Sequence, residues 1–82
     1  YSGKTARGDH YDGKKFTAAH RTLPFGTRLV VTDPKSRRSV TVIVNDRGPF
    51  VKGRVLDLSY AAAEALHMHS RGVMHVTASI DQ

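Results

Sequence analysis

Val40-Thr41-Val42-Ile43-Val44-Asn45-Asp46-Arg47-Gly48-Pro49-Phe50 runs five β-branched residues in succession into a charged turn cluster. Branching at Cβ restricts χ1 in a helix and suits a pleated surface, so Val40 to Val44 reads as a buried strand. Asn-Asp-Arg-Gly-Pro then ends it abruptly. The carboxylate of Asp46 is thereby placed where a strand gives out, beside the guanidinium of Arg47. Strand ends on a rigid scaffold are where chemistry is usually presented.

Working outward, the strand takes in Ser39 to Asn45. It is preceded by a turn at Asp33-Pro34-Lys35-Ser36 and by a second strand, Arg28 to Thr32, whose apolar content is Leu29, Val30 and Val31. The two are expected to form a hairpin with a basic tip. Leu23-Pro24-Phe25-Gly26-Thr27 reads as a turn feeding that hairpin, Thr17 to Leu23 is short and mixed, and Ser2 to Asp12 is loop-like with extended structure at its start. Beyond the turn cluster, Val55 to Leu58 is a brief apolar strand, Ser59 an N-cap, and Tyr60 to Leu66 an alanine-rich helix. Met74, Val76, Ala78 and Ile80 alternate with His75, Thr77, Ser79 and Asp81, the period of a half-buried last strand. Many short strands with one short helix predict a small, mostly β barrel.

The chain has 82 residues, enough for one domain over 1–82 that buries somewhat more than ~60% of its unfolded surface. With no Trp, the core is expected from aliphatic side chains together with Phe16, Phe25, Phe50 and some of the Tyr residues. Thirteen Lys and Arg against seven Asp and Glu give a formal charge of +6, which favours an anionic partner. The basic residues are scattered and no aromatics interleave with them, so an anionic polysaccharide suits the chain at least as well as nucleic acid. No cysteine is present, which removes disulfides and thiolate metal sites. No apolar run approaches the ~20 residues of a membrane span. A start at Tyr1-Ser2-Gly3 suggests a domain cut from a longer precursor.

Asp46 by itself is most simply a turn residue accepting backbone N–H groups. Its place at a strand end favours a functional role, because a general acid must hold its proton near neutral pH and partial burial at a barrel mouth raises an Asp toward that range. An inward Arg47 would oppose that shift, and the sequence leaves its direction open. His20, after the small residues Thr17-Ala18-Ala19, could orient the carboxyl group or shuttle a proton. Asp9 lies in a polar loop, and a second carboxylate matters for glycoside cleavage. Asp57, two positions before the helix cap, reads as a residue favourable to the helix N-terminus. His67 and His69, with His75 nearby, have metal-ligand spacing but fall at a helix exit with no adjoining Cys or carboxylate, so no metal site is expected. Phosphate loops, nucleophile elbows and zinc-protease helices are absent.

Five segments, Thr5-Ala6-Arg7-Gly8-Asp9, Thr17-Ala18-Ala19-His20, Leu23-Pro24-Phe25-Gly26-Thr27, Val44 to Phe50 and Arg54 to Ala63, together resemble the rare lipoprotein A (RlpA) family. The resemblance spans essentially the whole chain and keeps the family's order. It implies a six-stranded double-psi β-barrel with one or two short helices, a fold shared with expansins. It also implies lytic transglycosylase action on peptidoglycan in the bacterial periplasm or cell envelope, in wall remodelling or septal separation.

Onto this chain the resemblance maps the catalytic acid to Asp46, the supporting histidine to His20 and a second acidic residue to Asp9, where the family commonly has Glu. Arg47, Tyr11, Thr17 and Asn45 are the expected substrate contacts. No metal or organic cofactor is expected. The expected partner is the peptidoglycan glycan strand, bound by a monomer, with no nucleic acid and no membrane contact from the domain itself. A lipid anchor, common in the family, would belong to the full-length protein. The competing readings are a non-catalytic, expansin-like wall-binding module and a hydrolase.

Overall fold

The computed structural model describes residues 4–8, 15–50, 56–66 and 76–81. They form five strands and one helix: β1 (Thr17–His20), β2 (Arg28–Thr32), β3 (Ser39–Asp46), β4 (Leu56–Leu58), α1 (Tyr60–Ala65) and β5 (Thr77–Ile80). The resemblance implied six strands, of which five lie among the described residues. The sheet order is β4-β1-β3-β2-β5. β1 and β3 run parallel, whereas β1–β4, β2–β3 and β2–β5 pair antiparallel.

The expected hairpin forms, with a register running from Arg28 opposite Ile43 to Thr32 opposite Ser39. Its turn is held by Asp33, a buried side chain that accepts from Lys35 N at 3.0 Å and Ser36 Oγ at 2.9 Å. Lys35, Arg37 and Arg38 are exposed, so the tip is basic as expected. Alternation does the rest: Leu29 and Val31 of β2 and Val40, Val42 and Val44 of β3 turn to one face and are buried. Ala18, Ala62 and Leu66 complete the buried cluster, with Leu23, Leu56, Leu58, Ala65 and Val76 packed against it.

Three expectations are corrected. Phe16, Phe25 and Phe50 are exposed rather than core residues, because they lie outside the described strands and helix while the core is filled by aliphatic strand and helix side chains. β5 alternates in sequence but is exposed along its whole length; among the described residues it is an edge strand that pairs with β2 alone. Thr17–His20, the first part of the stretch to Leu23 read as short and mixed, is a strand flanked by partners on both sides. Its small side chains carry almost no β signal, so pairing rather than propensity makes it a strand. The helix stops at Ala65 with Leu66 as C-cap, and Ser59 is its N-cap, accepting from Ala62 N.

Candidate active site

Burial along β3 alternates as far as Val44, after which Val44, Asn45 and Asp46 are buried in succession. The register shows why. Ala18 pairs with Val44, but the next residue, Ala19, pairs with Asp46, so β3 carries Asn45 as an extra residue in a β-bulge. Unbroken alternation would put Asp46 on the core face with Val40, Val42 and Val44. The one-residue slip moves it to the face of its partner Ala19.

Ala19 also pairs with Asp57 on its other side. Leu56 and Leu58 flank Asp57 and pack on the core, so alternation turns Asp57 away from it. Asp46, Ala19 and Asp57 therefore form one cross-strand row, with two carboxylates on either side of an alanine. Two strand spacings separate their α-carbons by roughly 10 Å.

Asp46 is only 9% exposed and is held firmly. Its Oδ1 accepts from Ala6 N at 2.7 Å and from Arg47 N at 2.8 Å. The Ala6 bond comes from a turn over residues 5–8 laid across the bulge: Arg7 N donates to Asn45 O at 3.2 Å and Gly8 N to Thr5 O at 2.9 Å. Gly8 has φ of +104°, a conformation glycine adopts without strain. Thr5 Oγ1 in this turn is buried with no hydrogen-bond partner among the described residues. Burial disfavours the charged carboxylate and the two amide donors favour it, so they act on Asp46 in opposite senses. With Oδ1 accepting twice, a proton on this group resides on Oδ2.

Because β1 and β3 are parallel, their C-terminal ends, His20 and Asp46, emerge at one edge of the sheet. His20 Nδ1 accepts from Thr22 N and Leu23 N, each at 3.1 Å. Backbone amides only donate, so the neutral ring must carry its hydrogen on Nε2. No hydrogen bond joins His20 to Asp46 among the described residues. Arg47 answers the question of its direction: its Nη1 donates to Leu23 O at 2.9 Å and His20 O at 3.4 Å, and its guanidinium carbon lies 3.9 Å from the Phe25 ring centroid. It closes the 21–25 loop onto the strand end that carries His20.

Arg47→Ala is therefore expected to cost about 1–2 kcal/mol, from a charge-assisted hydrogen bond and a cation–π contact at a half-buried site. Denaturant melts would check this, and nitrogen NMR of the His20 ring should show Nδ1 losing its acceptor signature. Arg47→Lys should rescue poorly, since an ammonium lacks the planar stacking face. Full stability in the alanine variant would contradict the clamp.

The lytic transglycolase family profile matches residues 1–78 of this chain. The chain belongs to this family of double-psi β-barrel domains. A probable endolytic peptidoglycan transglycosylase RlpA of Synechocystis sp. is 53% identical over 79 residues, covering 96% of this chain and 25% of the relative. A protein of the same name from Aquifex aeolicus is 52% identical over 77 residues, 94% of this chain and 34% of its own. The endolytic peptidoglycan transglycosylase RlpA of Pasteurella multocida is 48% identical over 79 residues, 96% of this chain and 27% of its own. The chain thus spans about a quarter to a third of the length of these relatives.

In this lytic transglycolase domain the expected site residues are unevenly placed. Asp46, Asn45, Arg47 and His20 meet at one strand edge. Asn45 is the bulge residue, and its carbonyl is taken by Arg7 N. Thr17 begins β1 at the opposite end from His20, with its N–H bound to Ser59 Oγ. Asp9 and Tyr11 lie outside the described residues, as do His67, His69 and His75. Among the described residues no group of three or more His, Cys, Asp or Glu could hold a metal ion, and no helix is long and apolar enough to cross a membrane. Asp57, read from the sequence as a residue favouring the helix N-terminus, stands instead in the cross-strand row with Asp46. A lone carboxylate between Leu56 and Leu58 in a three-residue strand was the signal available.

Proposed function

We propose that this domain is an endolytic peptidoglycan transglycosylase that cleaves the MurNAc-GlcNAc β-1,4 bond and leaves a 1,6-anhydroMurNAc end. The observation that carries the reading is the bulge at Asn45, which turns Asp46 out of the core face, together with the two amides that fix its Oδ1. The names of the relatives, all endolytic peptidoglycan transglycosylases, support the substrate and reaction.

The glycosidic C1–O4 bond breaks with its electron pair passing to O4, which takes the proton from Asp46 Oδ2. The MurNAc C6 oxygen bonds to C1 and its hydroxyl proton passes to the Asp46 carboxylate. Asp46 ends protonated as it began, and no water is consumed. One residue serves both steps because the nucleophile belongs to the substrate itself, an intramolecular reaction with high effective concentration. Asp57, in the same row, faces the positive charge that builds at C1, and Asp9 is proposed to share that role. His20 donates from Nε2 to the substrate, with Asn45, Thr17 and Tyr11 as further contacts. Arg47 positions the His20 loop. Asp57→Asn is expected to slow cleavage on the order of 10²-fold while sacculus binding stays near that of the parent; unchanged turnover would remove Asp57 from the mechanism.

The domain acts in the cell envelope, in the periplasm at sites of wall remodelling or septal separation, as a monomer needing no cofactor; a lipid anchor would belong to the full-length protein. Digestion of sacculi by purified protein should release anhydro-ended muropeptides, detected by mass spectrometry. Binding to sacculi with no new chain ends would identify a wall-binding module instead.

A further inference from the structure

The turn after Asp46 sorts its residues against their size. Gly48 and Pro49 are buried, whereas Phe50, the bulkiest apolar side chain of the turn, is 81% exposed. Fully burying a phenyl ring is among the larger single gains open to a chain this small, yet this one stands in water. A methyl group at Gly48 would lie 3.6 Å from Phe50 Cε2 and 3.7 Å from Cδ2, so one edge of the ring rests beside the Gly48 α-carbon. Gly48 has φ of +128°, which side-chain-bearing residues rarely adopt, so the backbone conformation, not crowding by the ring, favours glycine there.

Phe25 shows by contrast what an occupied ring looks like here, because the Arg47 guanidinium already covers it at 3.9 Å. Arg47 and Gly48 are consecutive, so both rings border the turn that carries Asp46. Phe25 is used internally, and Phe50 is the one that presents a phenyl face outward.

We infer that Phe50 is a sugar-binding platform: its ring stacks against the apolar C–H face of a β-linked N-acetylated pyranose next to the bond held over Asp46. A β-1,4-linked sugar with equatorial substituents shows a flat sheet of axial C–H groups on each face. The electron-rich face of an aromatic ring complements those hydrogens, and a phenyl side chain with only two rotatable bonds loses little entropy on binding. The occupant is thus a glycan strand rather than a peptide or a second copy of this chain. This subsite rests on the glycan-cleaving reading of Asp46, but it is tested by binding and stands whichever product the reaction gives.

The experiment measures binding of a β-1,4 N-acetylglucosamine hexamer, by NMR titration, and of intact sacculi, by co-sedimentation, in the Asp46→Asn background so that turnover does not interfere. Phe50→Ala should weaken both on the order of 10-fold. Phe50→Trp should restore binding, and Phe50→Leu, apolar but without a π face, should not. Exposure at this position predicts melting temperatures within a few degrees of the parent for all three. The subsite is overturned if Phe50→Ala binds sugar like the parent, if Phe50→Leu restores binding as well as Phe50→Trp, or if sedimentation reveals a dimer that Phe50→Ala dissolves. Loss of anhydro products from the otherwise wild-type protein, with Phe50-dependent binding intact, would overturn the proposed reaction and leave the platform standing.

Discussion

Asp46→Asn is expected to reduce release of anhydro-ended muropeptides by at least about 10³-fold, toward the upper end of what a lost acid–base group costs. The fold should survive the change. The hydrogen bonds from Ala6 N and Arg47 N end on Asp46 Oδ1, and the amide oxygen of asparagine accepts them equally well. What asparagine cannot do is carry a proton to the leaving oxygen and take one from the C6 hydroxyl. Melting temperature and sacculus binding should therefore stay close to the parent while cleavage disappears. A variant that retains cleavage would mean that the amide clamp, not the acid, was the reason for an aspartate here.

Ser59→Ala should give the largest loss of stability among single-atom deletions, about 2–4 kcal/mol, summing a lost N-cap and buried backbone groups left without partners. Ser59 is only 3% exposed, and its Oγ accepts from Thr17 N at 3.1 Å and Ala62 N at 3.4 Å while donating to Lys15 O at 2.6 Å. One hydroxyl thereby joins the start of β1, the start of α1 and the segment leading into β1. Its backbone adds a fourth tie, Ser59 N to Thr17 O at 2.8 Å. A domain of this size holds roughly 4–12 kcal/mol in total, so the loss is a substantial share. Urea unfolding should show a lower midpoint at unchanged slope; a loss under about 1 kcal/mol would show that water replaces the hydroxyl.

What could be read in the chain follows from the range of the forces involved. The β2–β3 hairpin and the Ser59 cap are local: alternation, turn chemistry and a capping hydroxyl sit within a few residues of one another. Asp46 could be named from its strand end and from the family resemblance, but not the reason it leaves the core face. A bulge exists only relative to a partner, and Asn45 becomes the extra residue because Ala18 and Ala19 of a distant strand set the register. The same holds for Asp57, which sequence proximity tied to the helix and pairing with Ala19 ties to Asp46. The direction of Arg47 depended on carbonyls more than twenty residues away, at His20 and Leu23. The phenylalanines misled for a different reason: hydrophobicity predicts burial only where an element delivers the side chain to the core.

The most direct test of Asp46 as the acid and base of an intramolecular cleavage is digestion of sacculi in ¹⁸O-labelled water, followed by mass spectrometry of the new chain ends. Attack by the substrate's own C6 hydroxyl predicts anhydroMurNAc ends that carry no label. MurNAc reducing ends carrying one ¹⁸O would make the domain a hydrolase, and intact strands after full binding would make it a wall-binding module; either result would contradict the mechanism.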